Sequence, residues 1–363
     1  MKQSDLADEN LEQSQETVDA SILGQRGNLD ALHQAALPLV QALENTPDGD
    51  LIIETIAAAL KLLRDDTNRG DLKLINKSLK ELRYALKVFA PYRAVRKVSI
   101  FGSARTPSDA LDYQAALQFG RRMADAGWMV ITGAGGGIMA AGHGGAGAEP
   151  SFGLAIRLPF EQKTNEFISG DKKLINFKYF FTRKLMFLRS SHGVALFPGG
   201  FGTMDEGFEV LTLVQTGKSV PMPIVCVDKP GGDFWLGWDE FVRRHLLGRK
   251  LISEEDLHLY RLTDSVDDAV AEMLGFYRNY HSVRFTRDEM ILRLQKAPND
   301  EQLEHINTRF ADLLAGGTYR VSTALPIERD EPSLATLPRL VFNFNRRDHG
   351  RLRVLIDYLN SIA

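Results

Sequence analysis

The chain has 363 residues, 44% of them hydrophobic and 25% charged, with a formal net charge of −3 and a single cysteine. At roughly 100–200 residues per domain this length predicts two or three structural units, and so small a net charge supplies no field for non-specific attraction to nucleic acid or an anionic membrane. The lone cysteine, Cys226, excludes an internal disulfide framework and a multi-cysteine metal site and fits a reducing compartment.

No apolar run approaches the roughly 18 residues of a membrane span, and the start MKQSDLADENLEQSQE is too acidic and polar for a signal peptide. The expectation is a cytoplasmic globular protein that handles a small ligand, with neither a membrane nor a nucleic acid as partner. In chain order, residues 1–20 are predicted to be a frayed polar tail. Residues 21–91 are predicted to form an N-terminal helical unit, because apolar residues recur at helical spacing in LIIETIAAALKLL and LINKSLKELRYALKVFA. DDTNRGD breaks the two runs and Pro91 ends the second.

At VRKVSIFGSA the pattern changes, and residues 92–280 alternate between short β-branched runs and helical stretches. Strands are predicted near 96–102, 128–132, 152–157, 193–197, 222–227 and 258–263, and helices near 109–126, 137–148, 182–191, 203–216, 234–247 and 265–278. This alternation predicts an α/β, Rossmann-like doubly wound parallel sheet, whose ligands sit at the carboxyl ends of the strands. Cys226, within PIVCVD, reads as a buried strand residue rather than a nucleophile. Residues 281–363 read as a small α+β appendage: a helical RDEMILRLQKA, a helix DEQLEHINTRFADLLAG, strands YRVSTAL and RLVFNFN, and a final helix HGRLRVLIDYLNSI. FNFNRRDHGR, basic with interleaved phenylalanines, reads as a strand and a charged turn rather than an RNA-binding face.

Three predicted strand ends carry loops of small residues that lead into helices: IFGSARTPSD, ITGAGGGIMAAGHGGAG and LFPGGFGTMDE. Free N–H groups and the positive end of a helix dipole make such places receptive to an anion, with phosphate the natural guest. Gly135, Gly137 and Ala140 fit G-x-G-x-x-A but follow the second strand, and no acidic residue stands about 20 positions on to take a ribose. Arg157 near the third strand keeps NADP open beside a mononucleotide. TGKS at 216–219 lacks the first glycine of a P-loop and reads as a turn. His143 and His192 border the predicted site without a partner at ligand spacing, so neither a metal nor a cofactor is expected.

Pro198–Glu206, PGGFGTMDE, with Arg183–Lys184 in YFFTRKLMF about 15 residues earlier, resembles the Lonely Guy (LOG) family, with its P-G-G-x-G-T-x-x-E motif and upstream R-K pair. SIFGSAR and TGAGGGIM resemble that family's first two loops. The resemblance covers about residues 94–280, and LPFEQKTN and LTLVQTGKSVPMPIV resemble its larger bacterial members, which carry extra flanking domains. It implies a nucleoside 5′-monophosphate phosphoribohydrolase, which releases a free base and ribose 5-phosphate. Glu206 and Arg183 are the catalytic residues the resemblance implies. Gly102, Ser103, Gly135, Gly136, Gly199, Gly200, Gly202 and Thr203 would bind substrate, the last four at the 5′-phosphate. Glu209 would reach ribose hydroxyls, and Lys184 would face the phosphate or stand behind it.

The residue chemistry agrees, since breaking an N-glycosidic bond builds positive charge on the ribose that a carboxylate can answer. The family's older label, possible lysine decarboxylase, does not, because nothing marks a Schiff-base lysine with a carboxylate partner for a pyridine nitrogen. The resemblance also implies a homodimer or higher homo-oligomer. The competing expectation is a non-catalytic nucleotide or molybdenum-cofactor-type carrier, which needs the phosphate loop but not the carboxylate. AMP, GMP, CMP and N6-modified AMP all remain candidate substrates.

Overall fold

Short, almost wholly apolar runs build the central sheet of the computed structural model, which describes residues 38, 41, 42, 46, 48–156 and 164–363. The predicted tail, Arg157 and most of LPFEQKTN lie outside the described residues. The chain divides into two compact units, one ending at Lys80 and the other Glu81–Ala363. In the first, α1 (Gly49–Arg64) places Asp50 in its first turn and Lys61 and Arg64 in its last, complementing the helix dipole. Helix α2 (Arg69–Phe89) begins there, and its part from Glu81 on belongs to the second unit. Pro91 follows within a 3-10 turn, Ala90–Tyr92.

The second unit opens with β1 (Lys97–Phe101), α3 (Leu111–Asp125), β2 (Met129–Thr132), α4 (Ile138–Ala146) and β3 (Ser151–Ile156). It continues with β4 (Leu174–Phe177), α5 (Phe180–Ser190), β5 (Gly193–Leu196), α6 (Phe201–Gln215), β6 (Ile224–Val227), α7 (Phe234–Phe241), β7 (Arg261–Thr263) and α8 (Val266–Gly275). These strands form one seven-stranded parallel sheet in the order β4-β3-β2-β1-β5-β6-β7. The fold is therefore the Rossmann-like doubly wound sheet that the alternation predicts. Strand β4 at the sheet edge is an addition: LINF is interrupted by the exposed Asn176 and so is not the continuous apolar run that marks the inner strands.

Both sheet faces are covered, which is why the strands read as continuous apolar runs rather than alternating ones. Val98, Ile100, Val130, Ala195, Phe197, Val225 and Val227 pack under α3, α4 and α8. On the other side Met129, Ile131, Phe152, Leu154 and Ile175 meet Ala85 and Phe89 of α2 and Met186 and Phe187 of α5. Val194, Leu196, Ile224 and Cys226 meet Val210 and Val214 of α6. Cys226 is 1% exposed and burial pushes its thiol upward, which fits a core strand residue. Helices α3 and α4 approach backbone to backbone: a Cβ on Gly145 would lie 1.9 Å from Leu117 O. Several glycines of the second loop therefore serve helix packing and not a ligand.

The C-terminal part forms a four-stranded antiparallel sheet, β10-β11-β9-β8, from β8 (Tyr280–Phe285), β9 (Met290–Leu294), β10 (Leu314–Ser322) and β11 (Arg339–Phe344). Helices α9 (Asp300–Arg309) and α10 (His349–Ser361) complete it. RDEMILRLQKA is thus a strand, not the expected helix. Its Met, Leu and Arg residues favour a helix locally, but β9 lies between β8 and β11 with all five residues buried, and tertiary context overrides propensity. Met290, Leu292 and Leu294 enter the apolar core of this sheet.

Arg293, by contrast, donates to Glu328 Oε1 at 2.7 Å and pairs with Glu331, and Arg339 donates to Glu328 Oε2 at 3.1 Å. Arg293, Glu328 and Arg339 are 2%, 3% and 1% exposed, so Glu328 holds two guanidinium groups inside the protein. Removing one partner of such a cluster leaves charge uncompensated, and Glu328→Ala is expected to destabilise the second unit by about 3–5 kcal/mol in chemical denaturation.

Candidate active site

The chain order reverses at β1: β2, β3 and β4 run outward on one side and β5, β6 and β7 on the other. At such a switch point the loops leaving neighbouring strands part and open a crevice at their carboxyl ends. A cleft of about 570 Å³ lies there, lined by Phe101–Arg105 after β1, Gly133 and Met139 after β2, Arg183 and Phe187 of α5, and Gly200–Thr203 and Glu206 of α6.

Hydrogen bonds between backbones lace the three loops together. Ser103 N donates to Pro198 O at 3.0 Å, Ile138 N donates to Ser103 O at 3.0 Å, and Phe197 N donates to Phe101 O at 2.8 Å. Gly137 holds a positive φ of 56°, and a Cβ there would lie 2.2 Å from Ser103 O. A Cβ on Gly199 would lie 2.2 Å from Thr203 Oγ1. Gly200 and Gly202 differ: neither has a positive φ and a Cβ on either meets nothing within 4 Å. Packing does not require glycine at these two places, yet both line the cleft. Helix α6, which they open, has no side-chain cap. Most helices of the second unit also lack such a cap, and α6 is set apart by opening at the cleft. Thr203 N turns back to Gly200 O at 3.0 Å, and the N–H groups of Phe201 and Gly202 are left available there.

One turn into α6, Glu206 is 6% exposed. Burial pushes its carboxyl up to about 7, against the pull of Lys184 and Arg183 and with Glu209 and Asp205 adding to the rise. Arg183 Nη2 stands 3.7 Å from Glu206 Oε1, an ion pair too long for a hydrogen bond. Arg183 Nε is buried without a hydrogen-bond partner among the described residues. Burial lowers the Arg183 guanidinium, partly offset by Glu206 and Asp205. Both groups therefore keep unused bonding capacity towards the cleft.

Lys184 is placed differently. Its Nζ lies 2.8 Å from Asp205 Oδ2 and 2.7 Å from Glu209 Oε2, and these bonds outweigh burial and hold the ammonium above its ordinary range. Lys184 and Glu209 answer each other beside the cleft and neither lines it. Of the glycines that the sequence singles out, Gly102, Gly200 and Gly202 line the cleft with Ser103 and Thr203, whereas Gly135, Gly136 and Gly199 lie behind it.

The two histidines do not border the site. His143 is fully buried, with Nε2 3.1 Å from Thr132 Oγ1 and 3.0 Å from Phe152 O, and burial lowers its pKa to about 4. His192 precedes β5, at the opposite end of that strand from the cleft, where its Nδ1 accepts from Lys97 N at 3.2 Å. Sequence proximity to glycine loops cannot tell which end of a strand a residue occupies. Among the described residues no three His, Cys, Asp or Glu side chains gather where they could hold a metal. Nor is any described helix long and apolar enough to cross a membrane. TGKS is a turn, as expected, with Gly217 at φ 67° after α6.

Sequence reasoning missed Arg105, which lines the cleft mouth and has no ion-pair partner among the described residues. Its signal was an arginine three residues past the glycine of the first strand end. Phe101, Met139 and Phe187, which supply the cleft's apolar walls, gave no signal apart from core pattern.

Residues 136–273 match the model of a protein family described as "Possible lysine decarboxylase". No curated protein matches the chain in sequence. Among solved structures, the molybdenum cofactor binding protein from the phototrophic bacterium Rippkaea orientalis is 18% identical over 48% of this chain and 92% of its own, with a TM-score of 0.35. The molybdenum cofactor carrier protein from Chlamydomonas reinhardtii is 18% identical over 49% and 94%, with a TM-score of 0.34. DNA processing protein A from Helicobacter pylori, described for its single-stranded DNA binding mode, is 11% identical over 49% and 80%, with a TM-score of 0.34. The matched family segment runs from the glycine loop after β2 into α8 and contains Arg183–Lys184 and the whole of Pro198–Glu206; on that match and those motifs, residues 136–273 are a LOG-family segment of this chain.

Proposed function

We propose that the protein hydrolyses the N-glycosidic bond of nucleoside 5′-monophosphates, adding water at C1′ and releasing the free base and ribose 5-phosphate. The observation that carries this reading is the juxtaposition in one cleft of a glycine-bare helix N-terminus and, one turn further along the same helix, the buried carboxylate of Glu206. The first is suited to a phosphate dianion, the second to the cation that develops on ribose.

The 5′-phosphate takes the N–H groups of Gly200, Phe201 and Gly202 and the Thr203 hydroxyl, with Arg105 closing from the other side. Ribose then lies over the first turn of α6, within reach of Glu206. As the glycosidic bond breaks, the Glu206 carboxylate stabilises the ribosyl cation and orients the attacking water. The Arg183 guanidinium, held against Glu206, fixes the carboxylate and faces the departing base. Phe101, Met139 and Phe187 keep bulk water from the reacting centre, which strengthens each of these electrostatic effects. A pyridoxal-dependent decarboxylase does not fit the same residues: no lysine lines the cleft among the described residues, and Lys184 is clamped between two carboxylates.

Purified protein incubated with AMP, GMP, CMP and N6-modified AMP is expected to release base and ribose 5-phosphate, and to leave the corresponding nucleosides intact. Glu206→Gln should retain nucleotide binding while base release falls on the order of a hundredfold or more, as when a transition-state electrostatic group is lost. Binding without release by the native protein would instead assign it to the carrier class.

Because Glu206 works as the anion and its carboxyl titrates near 7, kcat/KM is expected to rise with pH through about 7 and then level. Arg183 and Lys184 both hold the Glu206 carboxyl down, so Arg183→Ala should move the midpoint of that profile to higher pH as well as lower its plateau.

Gly202→Ala separates fold from function. Alanine in the first turn of α6 meets nothing and should stabilise the protein by up to about 1 kcal/mol, by thermal or chemical denaturation. The same methyl group should weaken nucleoside monophosphate binding at least tenfold by calorimetry, because it stands where the phosphate approaches the backbone.

A further inference from the structure

Helix α5, which carries Arg183, begins without a side-chain cap of its own. Its N-terminal end is held from another element. Glu81 of α2 accepts a hydrogen bond from Lys178 N at 2.8 Å through Oε1 and another from the Thr182 hydroxyl at 2.7 Å through Oε2. A carboxylate at this end also complements the positive end of the helix dipole.

Glu81 is 5% exposed and Thr182 is fully buried, and among the described residues Glu81 has no cationic partner within ion-pair distance. A buried carboxylate without a counter-cation is a costly way to fill a core position, and an apolar side chain of similar size would serve packing better. What the carboxylate adds is direction. Its two oxygens fix one backbone N–H just before α5 and one hydroxyl in its first turn, and so set both the rotation and the axial position of the helix. Thr182 is the immediate neighbour of Arg183. The guanidinium is otherwise loosely held, with Nε unpartnered, Glu206 at 3.7 Å and the rings of Phe180 and Phe187 at 5.2 and 5.8 Å. Its placement over the cleft depends mainly on where α5 stands.

We propose that Glu81 is a positioning residue: through Thr182 and Lys178 N it sets the register of α5 and so holds the Arg183 guanidinium opposite Glu206. This inference rests on the hydrolase reading for its kinetic consequence, but not for its structural one.

The test compares Glu81→Leu, Glu81→Gln, Arg183→Ala and the double variant Glu81→Leu/Arg183→Ala. Folding of each is checked by circular dichroism and by the midpoint of chemical denaturation. Glu81→Leu should lower kcat roughly 10- to 100-fold with KM changed by less than about threefold, the scale of a small misplacement of a catalytic group. Glu81→Gln, which still offers an acceptor to Lys178 N, should restore kcat to within about threefold of the native value. Thr182→Ser, which keeps the hydroxyl, should behave like Glu81→Gln, and Thr182→Val like Glu81→Leu. In the Arg183→Ala background, Glu81→Leu should cost less than about threefold further, because the charged group it positions is gone and only the Phe187 wall of the cleft still rides on α5. An equal proportional loss in both backgrounds would overturn the proposal and make Glu81 a general structural residue.

The second readout needs no turnover. The Glu206 carboxyl is titrated by carbon NMR in selectively labelled protein, assigned with Glu206→Gln. Arg183, Lys184, Asp205 and Glu209 all act on this carboxyl, and the two cations that lower it, Arg183 and Lys184, both stand on α5 and move with it in Glu81→Leu. Its pKa should then rise, as it does in Arg183→Ala, and an unchanged pKa would refute the positioning role. If the native protein releases no base from any nucleotide, the hydrolase reading fails, while this titration still decides where Glu81 holds Arg183.

Discussion

Glu206 and Arg183 are two opposite charges removed from water and stopped just short of satisfying each other. At 3.7 Å the pair gains Coulomb attraction but no hydrogen bond, and the guanidinium keeps an unpartnered buried Nε. Two other charge clusters of the same chain are closed by short contacts. Glu328 takes hydrogen bonds from Arg293 and Arg339, and Lys184 sits within 2.8 Å of two carboxylates. The difference separates structural charge from charge held ready. A closed cluster has no affinity left to spend on a ligand, whereas an open pair offers it to whatever next enters the cleft. That readiness costs stability, and the cost appears as a carboxyl displaced towards neutrality.

The sheet makes this arrangement possible. Arg183 and Glu206 come from helices that follow different strands, β4 at the sheet edge and β5 beside β1. They meet because α5 and α6 lie on the same sheet face, where Phe187 packs against Phe101 with ring centroids 4.7 Å apart and Phe101 borders the apolar layers beneath both helices. The aromatic contact is also a wall of the cleft. Core packing and exclusion of water at the site are therefore one set of contacts, and a cavity opened under Phe187 would be felt by the electrostatics above it.

Much of this was legible in sequence, for physical reasons that also mark where legibility stops. A strand buried on both faces must be an unbroken apolar run, and a loop that must approach a phosphate must shed its side chains. Five of the sheet's strands announce themselves on the first ground and the Pro198–Glu206 loop by its bared backbone, whereas β7 is an edge strand with no such run. Strand β4 is an edge strand whose exposed Asn176 breaks the apolar run, and β9 hides its identity because Arg293, the residue that makes RDEMILRLQKA look like an exposed helix, is buried against Glu328. Glu81 could not be read at all, since in KELRY it is one more charge on a helix and gains meaning only from Thr182, distant in sequence.

The glycines show how far composition alone can carry such a reading. Runs after β2 and β5 look alike as text, yet their backbones serve opposite ends. Gly137, Gly145 and Gly199 are glycine because another part of the protein occupies the space a Cβ would need. Gly200 and Gly202 are glycine although nothing in the described protein occupies it. Gly237, Gly275 and Gly316 are as open, so open space alone decides nothing, and Gly200 and Gly202 stand apart because both line the cleft. The end of α6 at the cleft is suited to an anion, because the helix dipole favours negative charge there. On the proposed reading, a phosphate seated at that end would bring the sugar it carries to the buried carboxylate of Glu206, one turn further in.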